Sequence, residues 1–185
     1  MTGRRPRLVF VSPVFLFPND AGGKIRTTNI LRGLKGGHFE ILLVGPATSE
    51  QQVRWAGELS QICDEFQPWK PAKKRPRWRR AFDLLDYLPV NIADDRSPAG
   101  TAALAALAAR QDLDLVVFDF VHSAVLRPAK MRCATVCFTH NVEAEIFGRH
   151  AQKAAGFLKR WMWQSQYEKM RHFERAALGV FTSVV

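Results

Sequence analysis

Short apolar runs alternate with longer amphipathic stretches along this chain. Leu8-Val9-Phe10-Val11, Phe39–Val44 (FEILLV), Asp114–Phe118 (DLVVF) and Ala134–Thr139 (ATVCFT) each end at glycine, proline or a polar residue. Runs this short, apolar on both alternating faces, predict buried parallel strands. Phe66–Trp69 and Val180–Val185 predict two further strands. A first helix is expected over about 23–35, stopped by Gly36-Gly37. A second runs from a cap at Thr48 or Ser49 through Ile62. Ala81–Leu88 predicts a helical turn or two ended by Pro89. Ser97 caps the next helix, with Pro98 at its first position and the alanine-rich 99–110 as its body. Asn141 caps another through about His150, and 156–178 forms one long helix before Gly179. Along that last helix Trp163, Tyr167, Met170, Phe173 and Ala177 make an apolar stripe, read as core packing. The alternation predicts an α/β fold, a Rossmann-like, doubly wound, mostly parallel sheet.

In such a sheet, ligands sit outside the carboxyl ends of the strands. The stretch Ser12–Leu34 is therefore the centre of interest, because it carries a strand into a Gly-Gly loop and then a helix with a basic first turn. Gly22 and Gly23 permit close backbone approach, and Lys24 and Arg26 can neutralise a phosphate. A simple tight turn and solvated charges account for the same residues. The loop is neither a P-loop nor a GxGxxG turn. Two more strand ends are polar, Asp119-Phe120-Val121-His122 and Thr139-His140-Asn141-Val142-Glu143. His140 can meet a substrate hydroxyl or share a proton. Asp119 either meets a ligand or caps the following helix. Glu143 and Glu145 suit a helix N-terminus, and His122 is the weaker histidine candidate. No acid pair, metal-ligand cluster or Ser/His/Asp set stands out, so no metal is expected.

Composition narrows the class without choosing a function. The hydrophobic fraction of 47% argues against general disorder. No apolar run reaches the length of a membrane span, and Met1–Arg7 shows no signal-peptide pattern, so a cytoplasmic location is expected. Cys63, Cys133 and Cys137 lack CxxC spacing and read as buried reduced thiols. The formal charge of +10 falls to +3 without the seven cations of KPAKKRPRWRR at 70–80. Two prolines interrupt that run, which reads as an exposed loop.

The order of these features resembles the N-terminal domain of family-4 glycosyltransferases, which have the GT-B fold. The shared features are the PxxxGG-KxR loop and helix, the strand-end Asp119 and the HNVE turn. A long helix with Glu168, Met170 and Phe173-Glu174-Arg175, then a VxTSV-type strand, completes the set. The likeness covers 7–185 and is nearest the bacterial branch of polysaccharide assembly. It implies a single acceptor-side domain over 1–185, a nucleotide-sugar donor, a carbohydrate or lipid-linked acceptor, and transfer with retention. It also implies that no bound metal or other cofactor takes part. Gly22 and Gly23 would lie against the donor phosphates and Arg26 would line the cleft. His140 would meet the transferred sugar, with Asp119 near the acceptor and Lys24, Asn141 and Glu143 contributing to substrate binding. The donor-site pair of glutamates in that family belongs to a second domain absent from this sequence. The chain is therefore expected to be a fragment or one half of a larger protein, inactive alone. Lys73, Lys74, Arg75, Arg77, Trp78, Arg79 and Arg80 would contact an anionic membrane surface peripherally. Three rival readings stay open: a non-catalytic half-domain that binds an acceptor or partner, a sugar-nucleotide epimerase, and a basic-loop nucleic-acid module. Nucleic acid is the least expected partner, because the charge is confined to one loop and no recognition motif is present.

Overall fold

The computed structural model describes residues 4–72, 84 and 86–185. Six strands form one all-parallel sheet: β1 (Arg7–Val11), β2 (Glu40–Pro46), β3 (Glu65–Trp69), β4 (Leu115–Asp119), β5 (Ala134–Phe138) and β6 (Ser183–Val184). Their spatial order is β3-β2-β1-β4-β5-β6. The order reverses between β1 and β4, which pair from Leu8↔Leu115 to Val11↔Phe118. This is the strand order of a Rossmann-like sheet, and the reversal fixes where its crevice opens.

The strands are apolar on both faces because both are covered. Leu8, Phe10, Ile41 and Leu43 point to one side, where Leu31 of α1 (Gly22–Leu34) and Leu59 of α3 (Ala56–Ser60) bury them. Val9, Val11, Leu42, Val44, Val116 and Phe118 point to the other, against Leu104 and Leu107 of α5 (Pro98–Ala108). The two-residue period of a strand produces this division directly. At the far side, α6 (Glu143–Lys153) and α7 (Phe157–Leu178) form an antiparallel hairpin. Met170 is fully buried in the stripe expected on α7, which packs against Ala144 and Phe147 of α6.

Local expectations hold where the determinants are local. Ser97 Oγ accepts from the Gly100 amide, with Pro98 at the first position of α5. Thr48 closes a reciprocal capping box with Gln51. Other boundaries differ. The helix expected through Ile62 divides into α2 (Ser49–Arg54) and α3 at Trp55, whose φ/ψ of −112°/20° is not helical. That indole stacks on Phe17 at 5.5 Å, so tertiary packing overrides propensity there. Pro89 does not end a helix but precedes one, α4 (Val90–Asp95). Of the expected turn at Ala81–Leu88, residues 81–83 and 85 lie outside the described residues; Leu84 and 86–88 form turn and bend. The membrane-contact residues Lys73 to Arg80 also lie outside them. The last strand spans two residues, not six. Asn141 is exposed and caps nothing; Val142 is the cap residue of α6, and the carboxylate comes from Glu174 instead. Among the described residues no helix is long and apolar enough to cross a membrane.

Candidate functional site

A cleft opens at the carboxyl edge of the sheet, where β1 and β4 diverge. Its volume is about 470 Å³, and Pro13, Val14, Gly23, Lys24, Asp95, Phe120, His122 and Glu143 are among its walls. A neighbouring hollow of about 510 Å³ shares Pro13, Val14, Asp94 and Asp95 and extends toward Trp69 at the end of β3. Together they make one groove along the strand ends.

Phe120 is the residue around which the cleft is arranged. It follows β4 directly and takes φ 62°, ψ 148°, a conformation that L side chains seldom occupy. Holding it costs of order 1–3 kcal/mol. The backbone is pinned on both sides: its amide donates to Phe138 O at 2.9 Å, and Ser123 Oγ donates to its carbonyl at 2.8 Å. The unusual backbone sends the ring across the start of α1. A Cβ on Gly23 would stand 2.7 Å from Phe120 Cζ, so any larger residue there would have to push the ring aside. Gly22, one residue earlier, faces open space. The two glycines therefore have different jobs: the second accommodates an aromatic ring, and the first leaves the helix end uncovered. That end has no side-chain cap and no acid in its first turn, so its amides remain available to an anion.

Behind Phe120 lies a buried polar chain. Thr27 Oγ1 donates to Asp119 Oδ2 at 2.8 Å, and His140 Nε2 lies 2.7 Å from Asp119 Oδ1. The carboxylate can only accept, so Nε2 carries the proton. Side-chain exposure is 1% for Asp119 and 4% for His140. The His140 ring stacks on Phe120 at 3.8 Å and meets the Phe138 edge at 4.9 Å. Asp119 thus caps no helix. It orients His140 through one oxygen and α1 through the other. His140 does not line the cleft; Phe120 stands between.

The histidine that does line it is His122. Nδ1 is 3.2 Å from Asp95 Oδ2, and Nε2 is 3.6 Å from Glu143 Oε2. The second distance is an ion pair and too long for a hydrogen bond, so Nε2 has a proton and no acceptor of its own. Burial opposes a charge on this ring, but the two carboxylates outweigh it and raise its pKa to about 9. The imidazolium is the form present at neutral pH. It contributes a donor, flanked by two acceptors, to an otherwise partly apolar wall.

The remaining expected residues are dispersed. Lys24 lines the cleft, yet its ammonium is engaged by Asp20 at 2.9 Å and the Pro18 carbonyl at 3.1 Å, so it braces its own loop. Arg26 lies outside the cleft, over the Phe138 ring at 5.4 Å. Asn141 is solvent-exposed, whereas Glu143 is half-buried beside His122. Glu174, reaching back from α7, accepts from the amides of Glu143 at 3.0 Å and Ala144 at 3.3 Å. It fixes the start of α6 and hence the position of Glu143. In the sequence it is marked by its place beside Met170, Phe173 and Ala177 of the apolar stripe and by the Phe173-Glu174-Arg175 feature of the resemblance; the structure shows it buried. Among the described residues no group of three or more His, Cys, Asp or Glu is placed to hold a metal ion. The thiols take no part: burial pushes Cys63 and Cys137 up to about 11.

The chain matches no family model and no curated protein.

Proposed function

We propose that the chain is the N-terminal, acceptor-side half of a GT-B-type glycosyltransferase acting in polysaccharide or glycoconjugate assembly. The observation that carries the reading is the cleft at the β1/β4 reversal, with a charged His122 held between Asp95 and Glu143 and an aromatic face beside them. Carboxylates accept from vicinal sugar hydroxyls, an imidazolium donates to them, and the face of Phe120 stacks on a sugar ring. An acid-rich lining suits a neutral hydroxylated acceptor better than a phosphate. The uncapped start of α1, open at Gly22, is the nearest place for donor phosphates, which a second domain would chiefly hold.

In this reading His122, not His140, meets the acceptor. His140 is a positioning residue that supports Phe120 from behind, with Asp119 and Thr27 fixing it. Sugar passes from the nucleotide diphosphate to an acceptor hydroxyl, and this chain's part is to bind and orient that hydroxyl. The same reading has the protein working in the cytoplasm, peripheral to the inner face of the plasma membrane, where lipid-linked acceptors lie.

The test has two arms. Nucleotide release and product formation are followed with a panel of nucleotide sugars and free or lipid-linked oligosaccharide acceptors. In parallel, amide and ring shifts of the 185-residue chain are mapped by NMR during titration with acceptor oligosaccharides. Shifts centred on Phe120 and His122, without turnover by this chain alone, are expected. Turnover by these residues alone refutes the half-site reading, and epimerised donor without acceptor replaces transfer by epimerisation. No response to any sugar or nucleotide sugar removes the proposal.

A further inference from the structure

We propose that the tip of the α6–α7 hairpin, from Lys153 to Trp161, is a docking surface for an anionic lipid bilayer. Phe157, Leu158 and Trp161 are 86%, 75% and 62% exposed and lie within the first turn and a half of α7. Three large apolar side chains in one place are not the scattered exposure of an ordinary surface. The first turn of a solvated helix ordinarily carries an acid or a capping side chain. Here there is neither: no acid lies in that turn, and Gly156 supplies no cap. Lys153, Lys159 and Arg160 surround the apolar group, exposed and without an ion-pair partner among the described residues. Uncovered amides, three unpaired cations and protruding apolar groups all favour the same ligand, a surface with phosphate headgroups over hydrocarbon.

The tip also stands where a flat surface can reach it. Glu174 bonds to the start of α6 at the level of the cleft. Phe157 lies about 25 Å farther along α7 at the usual helical rise. Because α7 returns to the amino end of β6, its first turns project beyond the carboxyl edge of the sheet. Trp163 keeps the projection stiff, stacking on His150 at 4.7 Å and meeting Phe147 at 5.9 Å. A protein partner is the weaker occupant. The three side chains offer about 400 Å² on a convex tip, roughly half of what each side of a stable protein interface buries.

Docked in this way, the protein would turn the carboxyl edge and its cleft toward the bilayer. The inference itself does not depend on sugar transfer, and its assay contains no sugar nucleotide, so the two readings fail separately. The 185-residue protein is sedimented with phosphatidylcholine vesicles with and without about one-third phosphatidylglycerol. Binding to the anionic vesicles is expected. Phe157→Ser/Leu158→Ser/Trp161→Ser should weaken it at least about tenfold with an unchanged thermal midpoint, since these side chains meet solvent. Lys153→Gln/Lys159→Gln/Arg160→Gln should abolish the preference for anionic lipid. On vesicle binding, the blue-shifted emission of wild type should be diminished in Trp161→Phe, a substitution too mild to disturb folding. Equal binding by wild type and the apolar triple variant overturns the proposal. So does loss of binding only when residues 73–80 are neutralised. Self-association in the absence of lipid, relieved by the triple variant, would assign the tip to a second copy instead.

Discussion

Removing the charge on His122 should cost the fold measurable stability in a defined pH window. The unfolded imidazole gives up its proton near 6.5, whereas Asp95 and Glu143 hold it in the fold until about 9. At 1.36 kcal/mol for each pH unit, that gap is worth a little over about 3 kcal/mol, which solvent screening of the partly exposed ring lowers to about 2–3 kcal/mol. The side chain is 19% exposed, so solvent screens this only partly. The folded pKa is the raised one. The contribution is therefore complete below pH 6.5 and is lost as the pH climbs through 9. Lys24 and Asp94 also line the cleft, and the Lys24 ammonium is engaged by Asp20. Denaturant unfolding of wild type and His122→Gln at intervals from pH 6 to 9.5 isolates the effect. The stability difference should shrink by about 2–3 kcal/mol across that range, and the ring resonances should titrate near 9. A difference that stays constant with pH, or a ring that titrates near 6.5, would refute the assignment of His122 as a doubly paired imidazolium.

Three further outcomes follow from particular contacts. Gly22→Ala should raise stability by about 0.5–1 kcal/mol through helix propensity; Gly23→Ala, whose Cβ would meet Phe120 at 2.7 Å, should lower it by about 1 kcal/mol despite the same propensity gain. Equal thermal shifts for the two would remove the wedge from the account of this loop. Glu174→Ala should cost about 3 kcal/mol by leaving the first amides of α6 without their charged acceptor, and Glu174→Gln about half of that; hydrogen exchange at Glu143 and Ala144 reports whether the loss is local to that helix start. Between pH 9 and 11 stability should fall further, because Cys63 and Cys137 stay protonated in the fold and ionise in the unfolded chain. A Cys63→Ala/Cys137→Ala variant should show a flatter profile over that interval.

The strands and the crevice were legible because their determinants are short-range. Val9 and Phe10 differ by one position and so face opposite layers, and the glycines and Asp119 interrupt the runs where the chain leaves the sheet. Proline was ambiguous: Pro98 begins a helix as expected, and Pro89 does the same where it was expected to end one. What the sequence hid is long-range. Thr27, Asp119 and His140 are joined across the fold by two hydrogen bonds, and Glu174 caps a helix from far along the chain. Nothing in strand-end position alone distinguishes His122 from His140. The direction of one ring, set by a left-handed backbone at Phe120, decides which of them faces the cleft.

That ring divides the sheet edge into two compartments of different polarity. On one side an imidazolium sits among carboxylates in the wall of the open cleft. On the other the His140 ring is clamped between aromatic rings and a buried aspartate, with its side chain 4% exposed. The partition is one side chain thick, and its hinge is a backbone already under load. A ligand entering the cleft therefore meets His122 directly, and meets His140 only through Phe120.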